Sequence, residues 1–283
     1  ITRYRRGDYM KKKISNGILY FILICLSLIF LFPFFWALVT ALKSPAEIFA
    51  YPPSFFPKEL HFANFAEAWT AQPFTKYLIN SLIVTFFAVV GMTFSSALTA
   101  YGFARFEFPG KNLLFMILLS TMMIPWEVLV IPLYMQYNFF GWLDTLKPLI
   151  IPSFFGGAFY IFLMKQFLRT IPKDFEESAI IDGANYWQIF CKIFLPLLKP
   201  QMVLSAVMYM IIVWNDYLGP LVYISNSEKF TLPIGLSLYK GAHTTNFSAI
   251  MAITVIMTVP TVVAFFIGQK HILGSNISSG IKG

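Results

Sequence analysis

Lys173-Asp174-Phe175-Glu176-Glu177-Ser178-Ala179-Ile180-Ile181-Asp182-Gly183-Ala184, running on to Ile193-Phe194-Leu195-Pro196, is a charged island in an otherwise apolar chain. Ionised side chains are expensive in hydrocarbon, so this run must be a loop on one side of a membrane. The local chemistry predicts that the loop is ordered. Pro172 suits a first helical turn, where its missing N–H costs nothing. Asp174 with Glu177 three residues on reads as an N-cap and capping-box partner, and the acidic cluster suits the positive helix end. Gly183 offers a C-cap or tight break. Asn185 to Lys192 can form a second short helix, and Pro196 marks the start of the next apolar span. Two short helices with a glycine elbow make a knob that another surface can approach closely. An ordinary amphipathic loop helix fits the same pattern.

The composition agrees with a membrane setting. Charged residues are 12% of the 283, against about 25% in soluble domains, so the chain reads as an integral membrane protein. The net charge of +8 needs no nucleic acid, because positive-inside topology accounts for it. Cys25 and Cys191 fall in a predicted span and a predicted loop, which argues against a disulfide framework. The basic N-terminus precedes a long apolar run without a small-residue cleavage site, and reads as a retained span rather than a removed signal.

Working outward from the loop, six apolar spans are predicted, at about 18–42, 76–103, 113–134, 148–167, 195–218 and 247–268, each long enough for roughly 30 Å of hydrocarbon. Pro33 should kink the first, and Pro125 and Pro132 interrupt the third. Gly91, Ser95, Ser96 and Ala97 give the second a small-residue packing face. Residues 43–74 are the longest polar insertion, with a short amphipathic helix at Ala63 to Trp69. The expected fold is all-α and polytopic, one transmembrane domain over 1–283. It comprises a basic arm at 1–17, a six-span core at 18–268 with its loop at 170–196, and a hydrophilic tail at 269–283.

Charge counting orients it. With the N-terminus cytoplasmic, Lys and Arg on the inner side number six in the arm, two at 105–111, five at 165–199 and two in the tail. The outer segments hold three, one and two. This bias predicts both termini, and the charged loop, in the cytoplasm.

Glu127 and Asp216 are the acids in or near spans, and intramembrane ionisable groups point to function. Trp126-Glu127 lies between prolines, where irregular backbone can line a cavity. Trp214-Asn215-Asp216-Tyr217 ends the fifth span. Aromatic faces stack on sugar rings, and carboxylates and amides bond hydroxyls, so both clusters suit a carbohydrate path. An aromatic belt, with the acids paired to backbone, fits them equally. No Gly-x-x-x-x-Gly-Lys-Ser/Thr is present, so ATP is expected elsewhere. His61, His243 and His271 fall on different predicted sides, which argues against a metal site.

The spacing Glu177-Ser178-Ala179, Gly183, Ile193-Phe194-Leu195-Pro196 resembles the EAA loop of ABC importer membrane subunits, with Ser178 in place of the middle alanine. Trp214-Asn215-Asp216-Tyr217 through Pro220-Leu221, and Met123-Ile124-Pro125 through Ile131-Pro132-Leu133-Tyr134, resemble segments of sugar-type permeases. Gly268 to Gly283 resembles their C-terminal sequence. The likeness is to the shorter, six-span permeases of the maltose type, with ABC type I importer architecture.

That resemblance implies a location in the inner (cytoplasmic) membrane and contact with its lipid. It implies a second, larger permease, two ATPase subunits holding ATP and Mg, an extracytoplasmic solute-binding protein and a carbohydrate of the oligosaccharide class as cargo. It makes 173–196 the loop that docks on the ATPase: Glu177 as its anchor, Ala179 and Gly183 permitting close packing, and Phe175, Ile180, Ile181 and Tyr186 as apolar knobs among Glu176, Ser178, Asp182 and Ala184. It also sends Ser275, Ser278, Ser279 and Gly280 of the tail toward the ATPase dimer, though a glycine- and serine-rich terminus can equally be frayed. Two other classes stay open on the residues alone. One is a membrane-embedded lipid or glycosyl transferase using Glu127 and Asp216. The other is an ion-coupled secondary transporter, which usually shows an internal repeat. Deleting 275–283 should abolish transport while leaving assembly intact; normal uptake by the truncated protein would remove the docking role of the tail.

Overall fold

A computed structural model describes residues 2–241 and 245–277. Among them the regular structure is helical, with one isolated bridge between Lys240 and Thr245. The chain forms two compact units, Ile1–Gln72 with Tyr239–Ile256 and Pro73–Leu238 with Met257–Gly283.

The first unit begins with α1 (Thr2–Ala41), which runs through Pro33 without ending there. Its apolar stretch, Asn16–Ala41, is long enough to cross a membrane, and its most apolar window has no buried residue; burial begins at Val39, Thr40 and Ala41 at its end. A helix apolar all round is suited to lipid. Asn64 donates to the carbonyls of Ala41 (2.8 Å) and Lys43 (2.9 Å), tying down the end of α1. Two short helices follow, α2 (Pro45–Ile48), with Ser44 as N-cap, and α3 (Ala63–Thr70), where the amphipathic helix was expected.

The second unit is organised on α4 (Phe74–Arg105). Its small-residue face works as the sequence implied. A Cβ on Gly91 would lie 2.6 Å from the Phe154 ring, so only glycine lets that ring seat. Ser95 donates to the Phe154 carbonyl at 2.6 Å, and Ser96 accepts from the Gly157 amide at 3.1 Å. The fourth span, Lys147–Arg169, is therefore held against α4 at its own break. It consists of α7 (Lys147–Ile150), a 3-10 turn at Ile151–Phe155, Gly156–Gly157 and α8 (Ala158–Arg169).

The third span departs from expectation. It divides into α5 (Lys111–Ser120), a 3-10 turn at Thr121–Met123, and α6 (Trp126–Phe139), bent by 100°. Ile124 is extended, as a residue before proline prefers, and the break falls there. Pro132 does not interrupt the chain, because it is accommodated inside α6. Among the described residues, five helices are long and apolar enough to span, or six with the bent pair as one.

The charged loop is α9 (Asp174–Ile181). Asp174 is not its N-cap. Lys173 already has helical dihedrals, and no side chain caps the helix. Asn185 caps the next helix instead, with reciprocal bonds to Gln188 at 2.8 and 2.9 Å. That helix, α10 (Tyr186–Ile189), is not separate from the fifth span. It continues through a π-turn at Phe190–Phe194 into α11 (Leu195–Trp214). Pro196 cannot donate and crowds the preceding turn, and the widened turn gives it room. The helix stops at Trp214, short of the expected Leu218, and α12 (Leu218–Tyr223) and α13 (Leu232–Ser237) follow. The last helix, α14 (Phe247–Ile277), continues past Gly268.

Replacing Gly91 by Leu should lower the midpoint of thermal unfolding in detergent, at a cost of about 1–3 kcal/mol for overpacking. Gly102→Ala, with nothing within 4 Å of the new Cβ, should leave the midpoint unchanged or raised.

Candidate functional site

Two regions of the second unit carry the candidate residues. The first is the loop on α9. Its helix ends in a Schellman motif: the amide of Ala184 bonds the carbonyl of Ala179 (2.9 Å), and that of Gly183 bonds Ile180 (3.0 Å). Gly183 has φ +81°, the left-handed conformation that this motif uses. Ala179 is turned into the core formed by Ala97, Tyr101, Ile161, Leu168 and Phe190. Several apolar side chains of the loop are left uncovered: Ile181 is 86% exposed and Phe175 51%, with Ile180 and Tyr186 also exposed. Trp187, which the sequence reading passed over, is exposed beside them. The Tyr186 ring meets Phe106 edge-on at 5.1 Å. Ser178, Glu177 and Asp182 are exposed, and Glu176 and Ala184 are half-buried. Burial pushes the Glu176 carboxyl up, against the pull of Arg105 and Lys173.

The second region is a cavity of about 670 Å³ at the far end of α11. Trp126 and Tyr137 of α6, Ser153, Tyr209 of α11, and Asn215-Asp216-Tyr217 are among its walls. Asp216 accepts from the Gly219 amide at 3.0 Å. A Cβ on Gly219 would stand 2.4 Å from the other Asp216 oxygen, so glycine is what lets the carboxylate fold back there. The hydroxyls of Ser153 and Tyr209 bond at 2.8 Å. The Tyr223 hydroxyl, on the same wall, is buried without a hydrogen-bond partner.

The predicted path residues therefore separate. Trp126, Asn215, Asp216 and Tyr217 line the cavity, whereas Glu127 is exposed on the first turn of α6 and is not in the lining. Trp214 is also outside the lining: it is buried and donates its indole N–H to the Met257 carbonyl at 3.0 Å. Ser153, Tyr137, Tyr209 and Tyr223 were missed. They come from segments far apart in sequence, and the Tyr209–Val213 spacing of one helical turn was their faint signal. In the tail, Ser278, Ser279 and Gly280 lie outside the described residues, and Ser275 falls within α14.

A helical membrane unit with a cavity at one end of a span and a structured loop with exposed apolar residues at the other fits a transport-system permease subunit. The family profile for binding-protein-dependent transport system inner membrane components matches residues 91–273, and the chain belongs to that family. It is 34% identical to the diacetylchitobiose uptake system permease protein NgcG of Streptomyces coelicolor, across 92% of this chain and 86% of the relative. It is 31% identical to the arabinooligosaccharides transport system permease protein AraQ of Bacillus subtilis, across 91% and 92%. The fold matches a chain from a bacterial ABC transporter involved in the import of the acidic polysaccharide alginate, with a TM-score of 0.80 at 24% identity, over 91% of this chain and 96% of that one. These proteins are transport subunits, not enzymes.

Gly183→Val should leave the protein inserted but weaken ATPase association by about tenfold, because a β-branched residue resists a left-handed turn. Gly183→Asn, which tolerates that turn, should retain binding. Co-purification from detergent-solubilised membranes measures both.

Proposed function

We propose that the chain is one of two membrane subunits of an ATP-driven importer that moves a carbohydrate, an oligosaccharide by the names of its relatives, from an extracytoplasmic solute-binding protein into the cytoplasm. The observation that carries the reading is the cavity. Its volume falls within the range of about 300–1,000 Å³ typical of small-molecule sites, and its aromatic rings stand beside a carboxylate and several hydroxyls. Rings offer stacking faces to a sugar, while Asp216, Asn215 and the unpaired Tyr223 hydroxyl offer bonds to its hydroxyl groups.

In this reading the termini and the α9 loop are cytoplasmic, as the charge bias supports, and the membrane is the inner (cytoplasmic) one. Phe175, Ile180, Ile181, Tyr186 and Trp187 form the face that seats in an ATPase subunit, with Glu177 as a charged anchor. Two ATPase subunits supply ATP and Mg, and the tail from Ser275 reaches between them. The other membrane subunit is a different permease, so the pair is a heterodimer sharing the substrate path.

Purification in mild detergent should recover this chain with a second permease and ATPase subunits. A chain that stays alone after gentle crosslinking contradicts the reading. In proteoliposomes of the complex, Asp216→Asn combined with Tyr223→Phe should cut sugar uptake by about tenfold, the scale of losing a charge-assisted hydrogen bond. Unchanged uptake would take the cavity off the path.

A further inference from the structure

The α9 loop leaves the membrane unit after Arg169, at the end of α8, and returns through Phe194 at the foot of α11. Both ends meet one guanidinium. Arg105, the last residue of α4, donates from Nη2 to the carbonyls of Leu168 (2.8 Å) and Ile171 (2.9 Å), where the chain enters the loop. The same guanidinium stands 4.4 Å from the centre of the Phe194 ring, where the chain comes back. Glu176, on the loop's own helix, feels its charge. The Nε of Arg105 and the hydroxyl of Tyr101 are buried without hydrogen-bond partners, leaving the site spare bonding capacity.

This arrangement suits arginine. The last carbonyls of a helix lack intrahelical partners and attract a cation. A planar guanidinium can bond those carbonyls in its plane while presenting its face to a ring, which an ammonium cannot do. Tyr101, one turn back on α4, packs on Phe190 and Phe194 at 5.1 and 5.2 Å, so aromatic rings support the contact.

The other attachments of α4 say what such a clamp could move. Ser95 and Ser96 bond the break in the fourth span, Val84 lines the cavity, and Asn80 donates to the carbonyls of Glu228 and Phe230. The helix holds 32 residues, about 48 Å at 1.5 Å per residue.

We infer that Arg105 is the positioning residue that fastens both ends of the ATPase-docking loop to α4, so that displacement of the loop carries α4 and the cavity wall with it. This inference rests on the importer reading above. It assigns Arg105 no contact with substrate or nucleotide.

The test uses the whole complex in proteoliposomes, with ATP hydrolysis and sugar uptake measured on the same vesicles. Wild-type complex without ATP-driven uptake would contradict the importer reading itself, separately from the clamp. Given an active wild type, Arg105→Gln should still assemble and hydrolyse ATP, but sugar moved per ATP should fall about tenfold, the scale expected for losing charge-assisted bonds. Arg105→Lys should restore part of the ratio. Spin labels at Lys173 and Leu98, both exposed, should give one narrow distance distribution in nucleotide-free and ATP-bound wild type and a broad one in Arg105→Gln. An unchanged ratio with an unchanged distribution overturns the inference. Should Arg105→Gln fail to assemble, Phe194→Leu removes only the ring beneath the guanidinium. It should lower sugar moved per ATP severalfold, and an unchanged ratio in that variant also overturns the clamp.

Discussion

Lipid tails are as apolar as leucine, so hydrocarbon gives helices no hydrophobic reason to associate. Close van der Waals approach and interhelical hydrogen bonds must do it. In the second unit that demand falls on α4. The absence of a side chain at Gly91 admits the Phe154 ring, and Ser95 and Ser96 bond the backbone around it. The broken fourth span depends on this seat, because its 3-10 turn and paired glycines leave backbone groups that a regular helix would satisfy internally. Membrane segments tolerate such irregular backbone where protein covers it, and α4 is the cover.

The candidate regions are likewise joined by helix rather than by flexible chain. Tyr186–Trp214 is a single stretch of 29 residues. Its foot lies in the α9 loop and its head ends beside Asn215 and Asp216 at the cavity. The apolar knob and the cavity wall are thus two ends of one rod, with a widened turn and two prolines near its foot. On the neighbouring rod, α4, the end residue holds the carbonyls at the mouth of the loop.

Much of this was legible in the residues. Apolar runs located the spans, the amphipathic helix at Ala63 was found, and Gly183 announced the turn that ends α9. The failures have local causes. Pro125 and Pro132 look alike in sequence, but the chain turns where Ile124 becomes extended, and Pro132 is absorbed in a helix. Asp174 resembles a cap, yet the chain already turns at Lys173, whose carbonyl accepts from the amides of Glu176 and Glu177. Trp214 and Asp216 are two residues apart and read as one cluster. The end of α11 between them sends the indole into a core bond and the carboxylate to the cavity. Ser153, Tyr137, Tyr209 and Arg105 gain their settings from segments tens of residues away, which no local pattern records.

Gly183 has open space around it: a Cβ there would meet no atom within 4 Å. Within this chain the handedness of the backbone, and not a neighbouring atom, restricts the position. A lineage drifting at this site has a narrow exit, through asparagine or aspartate, whose short polar side chains accept left-handed dihedrals. Of the two, aspartate adds another negative charge next to Asp182 on a helix already acidic. Asparagine is thus the replacement that this backbone tolerates at least cost, with a Cβ that meets no other atom of the chain within 4 Å.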